Sequence, residues 1–378
     1  MTVAAKRPLH WESAQLHADA RTFFNSQLEA IAAARKSVDF EYYIFNYDVL
    51  GQRFVEALIG AAERGVRVRV MMDGVGSMAH CELLSERLTA HGVQVRIYHP
   101  LPWLFDTYRW GRWSRRWPRG WLARFITLVW NINRRNHRKL CTVDGHRAWL
   151  GSFNITADHL PVSEGGQGWR DYGVELSGPR IESLAAGFDD LWEGHAPRLQ
   201  RGFLAGFLSN RSVKARQLRN FYVARTVRNA RRRVWLVNAY FLPTALLRRA
   251  LLAACRSGCD VRLILPERSD VAVFPSLSSH YYRELLRAGA RIFLYQPGVL
   301  HAKALLVDEQ AVLGSSNWNY RSTLHDLELD VVLRDPDAVK PLEQTLLADM
   351  ADSREVAFED TLRPGLVSWL LYGLRYWM

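Results

Sequence analysis

Two short segments of the chain carry the same pattern: a histidine, a lysine two positions later and an aspartate seven positions later. The residues are His137, Lys139 and Asp144 in the first copy, and His301, Lys303 and Asp308 in the second. The chain has only six lysines against 44 arginines, yet two of the six stand at equivalent positions. This choice indicates a need for a compact ammonium group rather than a planar guanidinium.

A histidine beside a lysine suits phosphodiester chemistry. Near neutral pH the imidazole is a nucleophile when neutral and an acid when protonated. One histidine can attack phosphorus to form a phosphohistidine while the other protonates the leaving alcohol and later deprotonates the incoming alcohol or water. In a strand, residues i and i+2 face the same side, so each histidine and its lysine point into one space. We count Asp144 and Asp308, which follow apolar runs, among the catalytic motif residues, and within the motif we expect them to hold strand ends rather than to orient the imidazoles.

Further polar residues follow each copy at matching distances. A Gly-Ser turn with an asparagine comes first, and its side chains are predicted to bind the phosphate; they are Ser152, Asn154, Ser315 and Asn317. Each imidazole also needs an acceptor for its second nitrogen, and Asp171 and Glu328 are the candidates, with ordinary surface carboxylates as the alternative. Because we find no carboxylate cluster at metal-binding spacing, we predict no metal and no cofactor.

The elements that must position these residues also repeat. A helix closed by Gly65 and followed by a β-branched strand recurs at Gly258, and a second such unit at Gly92 recurs at Gly289. Alternating helices and strands predict an α/β fold of two pseudo-repeated domains, each a mixed β-sheet flanked by helices, with the active site at their interface. We place the domains at residues 1–198 and 199–378, joined near His195 to Arg216.

The second copy follows the first by 197 residues at Gly92 and Gly289 but by only 164 residues at His137 and His301. The first half therefore carries about 33 extra residues between these points, near 101–133. This insertion interleaves six tryptophans with six arginines and contains one acid, Asp106. Such a composition is typical of an element at a membrane interface, although it could also bind single-stranded nucleic acid or form a structural cap. The apolar tail Leu366–Met378 and the weaker patch Phe203–Leu208 favour a membrane surface.

Bulk properties agree with an anionic partner. The 378 residues carry a net charge of +12, which fits either nucleic acid or an anionic membrane. The four cysteines are scattered and are expected to be reduced thiols. The segment Met1–Phe24 has no uninterrupted apolar run, so we predict no spanning helix there. We therefore expect a peripheral membrane enzyme on the cytoplasmic face, with no obligatory protein partner and no nucleic acid.

The chain resembles the phospholipase D superfamily and, within it, the bacterial cardiolipin synthases that lack N-terminal membrane-spanning helices. The resemblance covers roughly Leu28 to Ser353 and includes both histidine motifs. It is carried further by the segments Glu41–Phe45, Asp73–Ser77, Trp169–Asp171, Tyr240–Pro243 and Leu265–Asp270. The chain departs from the usual pattern at Ser152, where a second glycine is common, and at Asp326, where asparagine is common.

The resemblance implies a function as well as a fold. It implies that His137 is the nucleophile and His301 the acid and base. The expected reaction moves a phosphatidyl group from one phosphatidylglycerol, the anionic phospholipid substrate, to another lipid alcohol, with release of glycerol. A phospholipase D or another phosphatidyltransferase is the alternative within the fold, and a nuclease is the alternative from another class.

Overall fold

The computed structural model describes residues 11–100, 134–195 and 206–361, together with Gly373. Within these ranges the strands form two mixed sheets with helices on their outer faces, as the sequence predicts. The predicted insertion at 101–133 and the apolar tail lie outside the described residues, apart from Gly373. No helix in the described part of the chain is long and apolar enough to cross a bilayer.

The first sheet has seven strands in the order β1-β7-β6-β5-β2-β3-β4. They are β1 (Ser13–His17), β2 (Ser37–Tyr42), β3 (Arg67–Asp73), β4 (Gln94–Tyr98), β5 (Leu140–Val143), β6 (Arg147–Gly151) and β7 (Gly173–Ser177). Neighbouring strands among β2, β3 and β4 are parallel, and the remaining pairs are antiparallel. The helices of this half are α1 (Ala20–Ala33), α2 (Val49–Glu63), α3 (Cys81–Ala90) and α4 (Glu182–Trp192).

The second sheet repeats this plan with eight strands, in the order β15-β11-β10-β9-β12-β13-β14-β8. They are β8 (Phe207–Ser209), β9 (Arg233–Asn238), β10 (Asp260–Arg268), β11 (Arg291–Val299), β12 (Lys303–Val307), β13 (Gln310–Gly314), β14 (Leu329–Leu333) and β15 (Ser353–Glu355). The helices are α5 (Val213–Arg228), α6 (Ala245–Arg256), α7 (Val273–Ser278), α8 (Tyr282–Arg287), α9 (Tyr320–Leu324) and α10 (Pro336–Ala351).

The helix-glycine-strand repeat is confirmed. Gly65 and Gly258 follow α2 and α6 with φ angles of 85° and 82°, a left-handed conformation that glycine adopts without steric cost. The strands β3 and β10 come next in each half, beside β2 and β9. Each motif strand, β5 or β12, pairs antiparallel with the other side of β2 or β9 and so lies in the interior of its sheet.

The two sheets share one core. Leu140 and Val174 from the first sheet and Trp235 and Ala304 from the second belong to a single buried apolar cluster, to which α10 adds Leu342. Separate clusters bury the helices of each half against the outer faces of the sheets. This shared core brings the two halves together as one packed body, because apolar area removed from water on both faces stabilises the contact.

The prediction that residues 203–208 form an apolar patch facing a membrane surface is wrong. Phe207 and Leu208, the described apolar residues of the patch at 203–208, are buried rather than available to a membrane. They belong to β8, which pairs antiparallel with β14 at the edge of the second sheet. Their side chains face opposite sides of the sheet, one toward the shared core and one toward the helices, so both are covered.

The motif aspartates hold turns at the ends of the motif strands that lie away from the histidines. Asp144 accepts backbone N–H groups from Arg35, Lys36 and Ser37 at 2.7–3.3 Å. Asp308 accepts the three equivalent groups of residues 231–233 at 2.9–3.3 Å. Both aspartates have left-handed backbones, with φ of 54° and 51°. These contacts fit the expected hold on the strand ends, and a catalytic role for the two aspartates stays a prediction.

We predict that Asp144→Ala lowers the free energy of unfolding by about 2–4 kcal/mol, because three backbone donors lose a charged acceptor and alanine tolerates the left-handed conformation poorly. Asp144→Asn is the matched control, since its amide oxygen still accepts and asparagine tolerates this conformation; the expected loss is about 1 kcal/mol. Urea unfolding measures both values. Equal losses in the two variants would contradict this account of the turn.

Candidate active site

The histidines are positioned by backbone bridges that cross between the two halves. The N–H of His137 donates to the carbonyl of Leu327 at 2.9 Å, and the N–H of Leu327 donates to Arg135 at 2.8 Å. In the same way the N–H of His301 donates to Arg170 at 2.8 Å. Each histidine segment is therefore paired with the segment that carries the late carboxylate of the opposite half.

The two predicted carboxylates meet the imidazoles crosswise. Glu328 Oε2 lies 3.1 Å from Nδ1 of His137, and Asp171 Oδ2 lies 2.6 Å from Nδ1 of His301. When ionised, each carboxylate can only accept, so Nδ1 of the imidazole it contacts then carries the proton and Nε2 is left for chemistry. Asp171 and Glu328 are buried, so the alternative that they are ordinary surface carboxylates is wrong.

The predicted phosphate-binding serines contact these carboxylates. The hydroxyl of Ser152 donates to Asp171, and that of Ser315 donates to Glu328. A backbone N–H, that of Tyr172, adds a 2.9 Å bond to Asp171. The serines therefore hold the groups that orient the imidazoles, and any direct contact of theirs with phosphate stays a prediction.

The predicted asparagines lie in the same buried region. Asn154 Oδ1 accepts the N–H of Ile44 at 3.4 Å, whereas Asn317 Oδ1 is buried with no hydrogen-bond partner among the described residues. This oxygen can only accept, so phosphate binding by the asparagines would use their Nδ2 groups and stays a prediction.

Both motif lysines are buried and lie against the backbone of their own histidine. Lys139 Nζ donates to the carbonyl of His137 at 2.7 Å, and Lys303 Nζ donates to that of His301. Each ammonium also lies over a tyrosine ring, Tyr43 at 5.2 Å and Tyr240 at 5.8 Å. Burial lowers the pKa of Lys139 to about 7 and that of Lys303 to about 8. An anionic phosphate would offset this loss of hydration.

Two acids of the first sheet anchor the segment before β5, and sequence reasoning assigned neither a role. Glu41 accepts three bonds from the guanidinium of Arg138, at 2.6–3.0 Å, and a 2.6 Å bond from the amide of Asn136. Asp73 accepts the backbone N–H of Asn136 at 2.8 Å. Both acids stand in segments that carry the family resemblance, but spacing alone did not show what they bind.

His159 is a third buried histidine of the site, and sequence reasoning missed it. Its Nε2 accepts the N–H of Asn154 at 3.2 Å, so the neutral ring carries its proton on Nδ1, which lies 3.6 Å from Asp171 Oδ2. In the second half Ser322 has the same place: it accepts the N–H of Asn317 and donates to Glu328. The signal was present, because both residues stand five positions after the asparagine.

The two half-sites differ electrostatically. Burial opposes ionisation of Asp171, but His301 and Lys303 hold the pKa of that carboxyl well below its usual range. Burial raises the pKa of Glu328. Burial and Lys139 lower the pKa of His137 strongly, whereas the pKa of His301, lowered by burial, is partly restored by Asp171. His301 is thus better placed to carry a proton and His137 to stay neutral.

Among the described residues, one trio has ligand atoms close enough to chelate a metal ion: His159, Asp171 and His301, with ligand atoms within 4.8 Å of one another. If Nδ1 of His301 were the ligand atom, an ion would displace the hydrogen bond to Asp171 that orients the ring. The arrangement suits imidazole orientation better than chelation, and the absence of a metal stays a prediction.

Comparison with known proteins gives the family. The model of the family described as cardiolipin synthase, PLD-like domain, matches residues 28–192 and 223–350. The chain is 32% identical to cardiolipin synthase A of Pseudomonas entomophila, over 91% of this chain and 69% of the relative. It is 34% identical to cardiolipin synthase A of Pseudomonas aeruginosa, over 89% of this chain and 66% of the relative.

Solved structures show the same fold. Phosphatidylserine synthase of Haemophilus influenzae superposes with a TM-score of 0.66 over 96% of this chain and 93% of that one, at 14% identity. Polyphosphate kinase of Porphyromonas gingivalis gives 0.63 over 96% of this chain and 52% of that one, at 13% identity. The chain belongs to the cardiolipin synthase, PLD-like domain family, and it is an enzyme of the phosphatidyltransferase class.

The buried lysines generate a prediction for the pH profile. Because Lys139 and Lys303 lose their charge as pH rises through about 7 and 8, kcat/KM for a soluble phosphodiester should fall in that range, and each lysine should add one unit to the slope of the fall. Lys303→Arg should lower the rate and reduce the slope by one unit, since arginine keeps its proton. The fall in kcat should begin at a higher pH than the fall in kcat/KM, because a bound phosphate favours the charged ammonium form of the lysines. An unchanged slope in Lys303→Arg would contradict the role given to Lys303.

Proposed function

We propose that the protein is a cardiolipin synthase-type transferase that moves a phosphatidyl group from one phosphatidylglycerol to the hydroxyl of another lipid, through a covalent phosphohistidine on His137. The observation that supports it most is the pair of buried imidazoles, each with Nδ1 on a carboxylate from the opposite half and with no hydrogen bond to Nε2 from the part of the chain that the structure describes. Two equivalent groups in one site can share nucleophilic and acid–base work. This site lies between two domains that we place at residues 1–198 and 199–378.

In the first step Nε2 of neutral His137 attacks phosphorus and forms the N–P bond, while the P–O bond to glycerol breaks. Protonated His301 gives its proton to the departing glycerol oxygen. In the second step His301, now neutral, takes the proton from the hydroxyl of the acceptor, whose oxygen attacks phosphorus and breaks the N–P bond. Lys139 and Lys303 stabilise the equatorial oxygens in both steps, with Asn154 and Asn317 as further donors.

The electrostatic difference between the half-sites supports this division of roles. The nucleophile must be neutral, and His137 has the more strongly lowered pKa, which burial causes first and Lys139 second. The acid must hold a proton, and His301 has the carboxylate whose pKa lies below its usual range. The step exchanges one phosphodiester for another, so no cofactor is needed for its energy.

Transfer rather than hydrolysis requires that a lipid hydroxyl reach phosphorus before water does. We propose that the enzyme works at the cytoplasmic face of the bacterial inner membrane, where lipid hydroxyls are crowded and their effective concentration is high. The net charge of +12 supports attachment to an anionic surface. Hydrolysis by a phospholipase D and cleavage of nucleic acid are the competing outcomes of the assays.

The covalent step predicts distinct behaviour for the two histidines. His137→Ala should abolish turnover and the acid-labile phosphoenzyme. His301→Ala should slow both steps but still allow slow labelling from a lipid with a p-nitrophenol leaving group, which needs no proton. Intact-protein mass spectrometry after rapid quenching measures the label. Turnover retained in His137→Ala would exclude the proposed nucleophile.

The reaction predicts cardiolipin and glycerol as the main products when purified protein is incubated with phosphatidylglycerol vesicles, with EDTA present throughout. Added glycerol should drive the reverse reaction, because the two phosphodiesters are similar in energy. Chromatography of the lipids measures the products, and single-stranded DNA is digested in parallel. Phosphatidic acid as the main product would indicate a phospholipase D, and cleaved DNA with intact lipid would indicate a nuclease.

A further inference from the structure

Three arginines that form no ion pair with an acid among the described residues lie together near the segment that carries His137. We call Arg134, Arg211 and Arg216 the arginine cluster. Arg134 Nη2 donates to the backbone carbonyl of Arg211 at 3.3 Å. Burial and the charge of Arg134 lower the pKa of Arg216 to about 10, and burial and the charge of Arg138 lower the pKa of Arg211; Asp326 and Asp190 act in the opposite direction but form no ion pair with either guanidinium within the described ranges. Like charges are therefore held close together.

The side chains of the cluster donate to neutral carbonyl oxygens. Arg211 donates to His195, and Arg216 donates to Asn210 at 3.0 Å and to the carbonyls of residues 324 and 325. In the described ranges none of the three arginines forms an ion pair with a carboxylate. Arg134 Nε and Arg211 Nη1 are also buried without a hydrogen-bond partner there. A carbonyl accepts a hydrogen bond but does not cancel a charge.

Buried arginines elsewhere in this region are neutralised by acids. The pairs are Arg135 with Asp73 at 3.3 Å, Arg138 with Glu41 at 2.6 Å and Arg219 with Asp330 at 2.9 Å. The rest of the sequence supplies little to neutralise the cluster, because Asp106 is the only acid outside the described ranges. The arginine cluster thus lacks the ion-paired acid that these other arginines have, and an external anion would supply the missing negative charge.

The cluster lies at the end of the molecule where the reaction takes place. The strand β5 leads away from the site to Asp144, so Arg134, three residues before His137, lies on the side of the site and within about 10 Å of that histidine along the chain. Arg216 holds the carbonyl of Asn210, whose side-chain oxygen accepts the N–H of Glu328 at 2.7 Å. An anion on the cluster would therefore be a near neighbour of the reacting phosphate.

We propose that the arginine cluster is a second phosphate-binding site, which holds the phosphodiester of the acceptor phospholipid while its hydroxyl reaches the phosphohistidine. A guanidinium presents paired donors that match phosphate oxygens, which fits arginine rather than lysine at these positions. The proposal rests on the proposed function for the identity of the acceptor, but the binding of a phosphate-bearing anion does not require turnover. Inorganic phosphate has the same chemistry and is therefore a separate arm of the test.

The binding test uses full-length protein carrying His137→Ala, so that no turnover occurs. Arg134→Gln/Arg211→Gln is compared with Arg35→Gln/Arg232→Gln, which has the same net charge and alters exposed side chains at the turns held by Asp144 and Asp308. Cosedimentation with phosphatidylglycerol vesicles should weaken about 25-fold more in the cluster variant than in the control, with phosphatidylcholine binding alike in both. If the double variant does not fold, Arg134→Gln alone, whose side chain makes one of these bonds, should weaken binding about fivefold.

Equal weakening in the cluster variant and its control would overturn the proposal. Protection against thermal unfolding by millimolar inorganic phosphate, with vesicle binding unaffected by the cluster variant, would overturn the lipid assignment. In the active protein the cluster variant should raise KM for phosphatidylglycerol and lower the ratio of cardiolipin to phosphatidic acid, and an unchanged ratio would exclude the acceptor role. If active wild-type protein forms no cardiolipin, the proposed function fails, while the vesicle measurement still decides the anion site.

Discussion

The site depends on two short backbone bridges that cross between the halves. One joins the segment before His137 to the segment before Glu328, and the other joins the segment before Asp171 to the one before His301. Neither half can orient its own imidazole, because the carboxylate it supplies serves the other half. The shared core between the sheets keeps these bridges in register. The packing of the two sheets therefore fixes the contact of about 3 Å between each imidazole and its carboxylate.

Burial gives the site its electrostatic character. Two ammonium groups and two carboxylates are removed from water beside the two histidines, and burial alone disfavours the charged form of each. The groups recover part of this cost from one another, as Asp171 does from His301 and Lys303. In the proposed reaction a bound phosphodiester brings negative charge next to the lysines, so substrate binding and protonation of the lysines would stabilise each other.

The sequence predicted what is local or repeated. The doubled motif, the helix-glycine-strand units and the turn role of Asp144 can be read from spacing, because strand period and left-handed turns depend on nearby residues. The crosswise pairing could not be read, since it depends on how the two sheets pack. The contact of the Ser152 hydroxyl with Asp171 could not be predicted for the same reason. Nor could the strand β8, which lies in the segment that the sequence indicated as a linker between the domains.

Differences between the copies explain how two similar half-sites can act differently. His159 faces Asp171 where Ser322 faces Glu328. Two positions before these carboxylates, Trp169 packs 5.8 Å from the His301 ring, whereas Asp326 is buried with a pKa raised to about 7 by burial. In the proposed mechanism Trp169 lies beside the imidazole that acts as the acid. Asp326, held by Arg321 at 3.0 Å, instead keeps an acid close to Glu328, and each carboxylate makes ionisation of the other harder. This weaker anionic character beside His137 supports its proposed role as the neutral nucleophile, so differences beside the motifs, rather than in them, would favour the proposed direction of proton transfer.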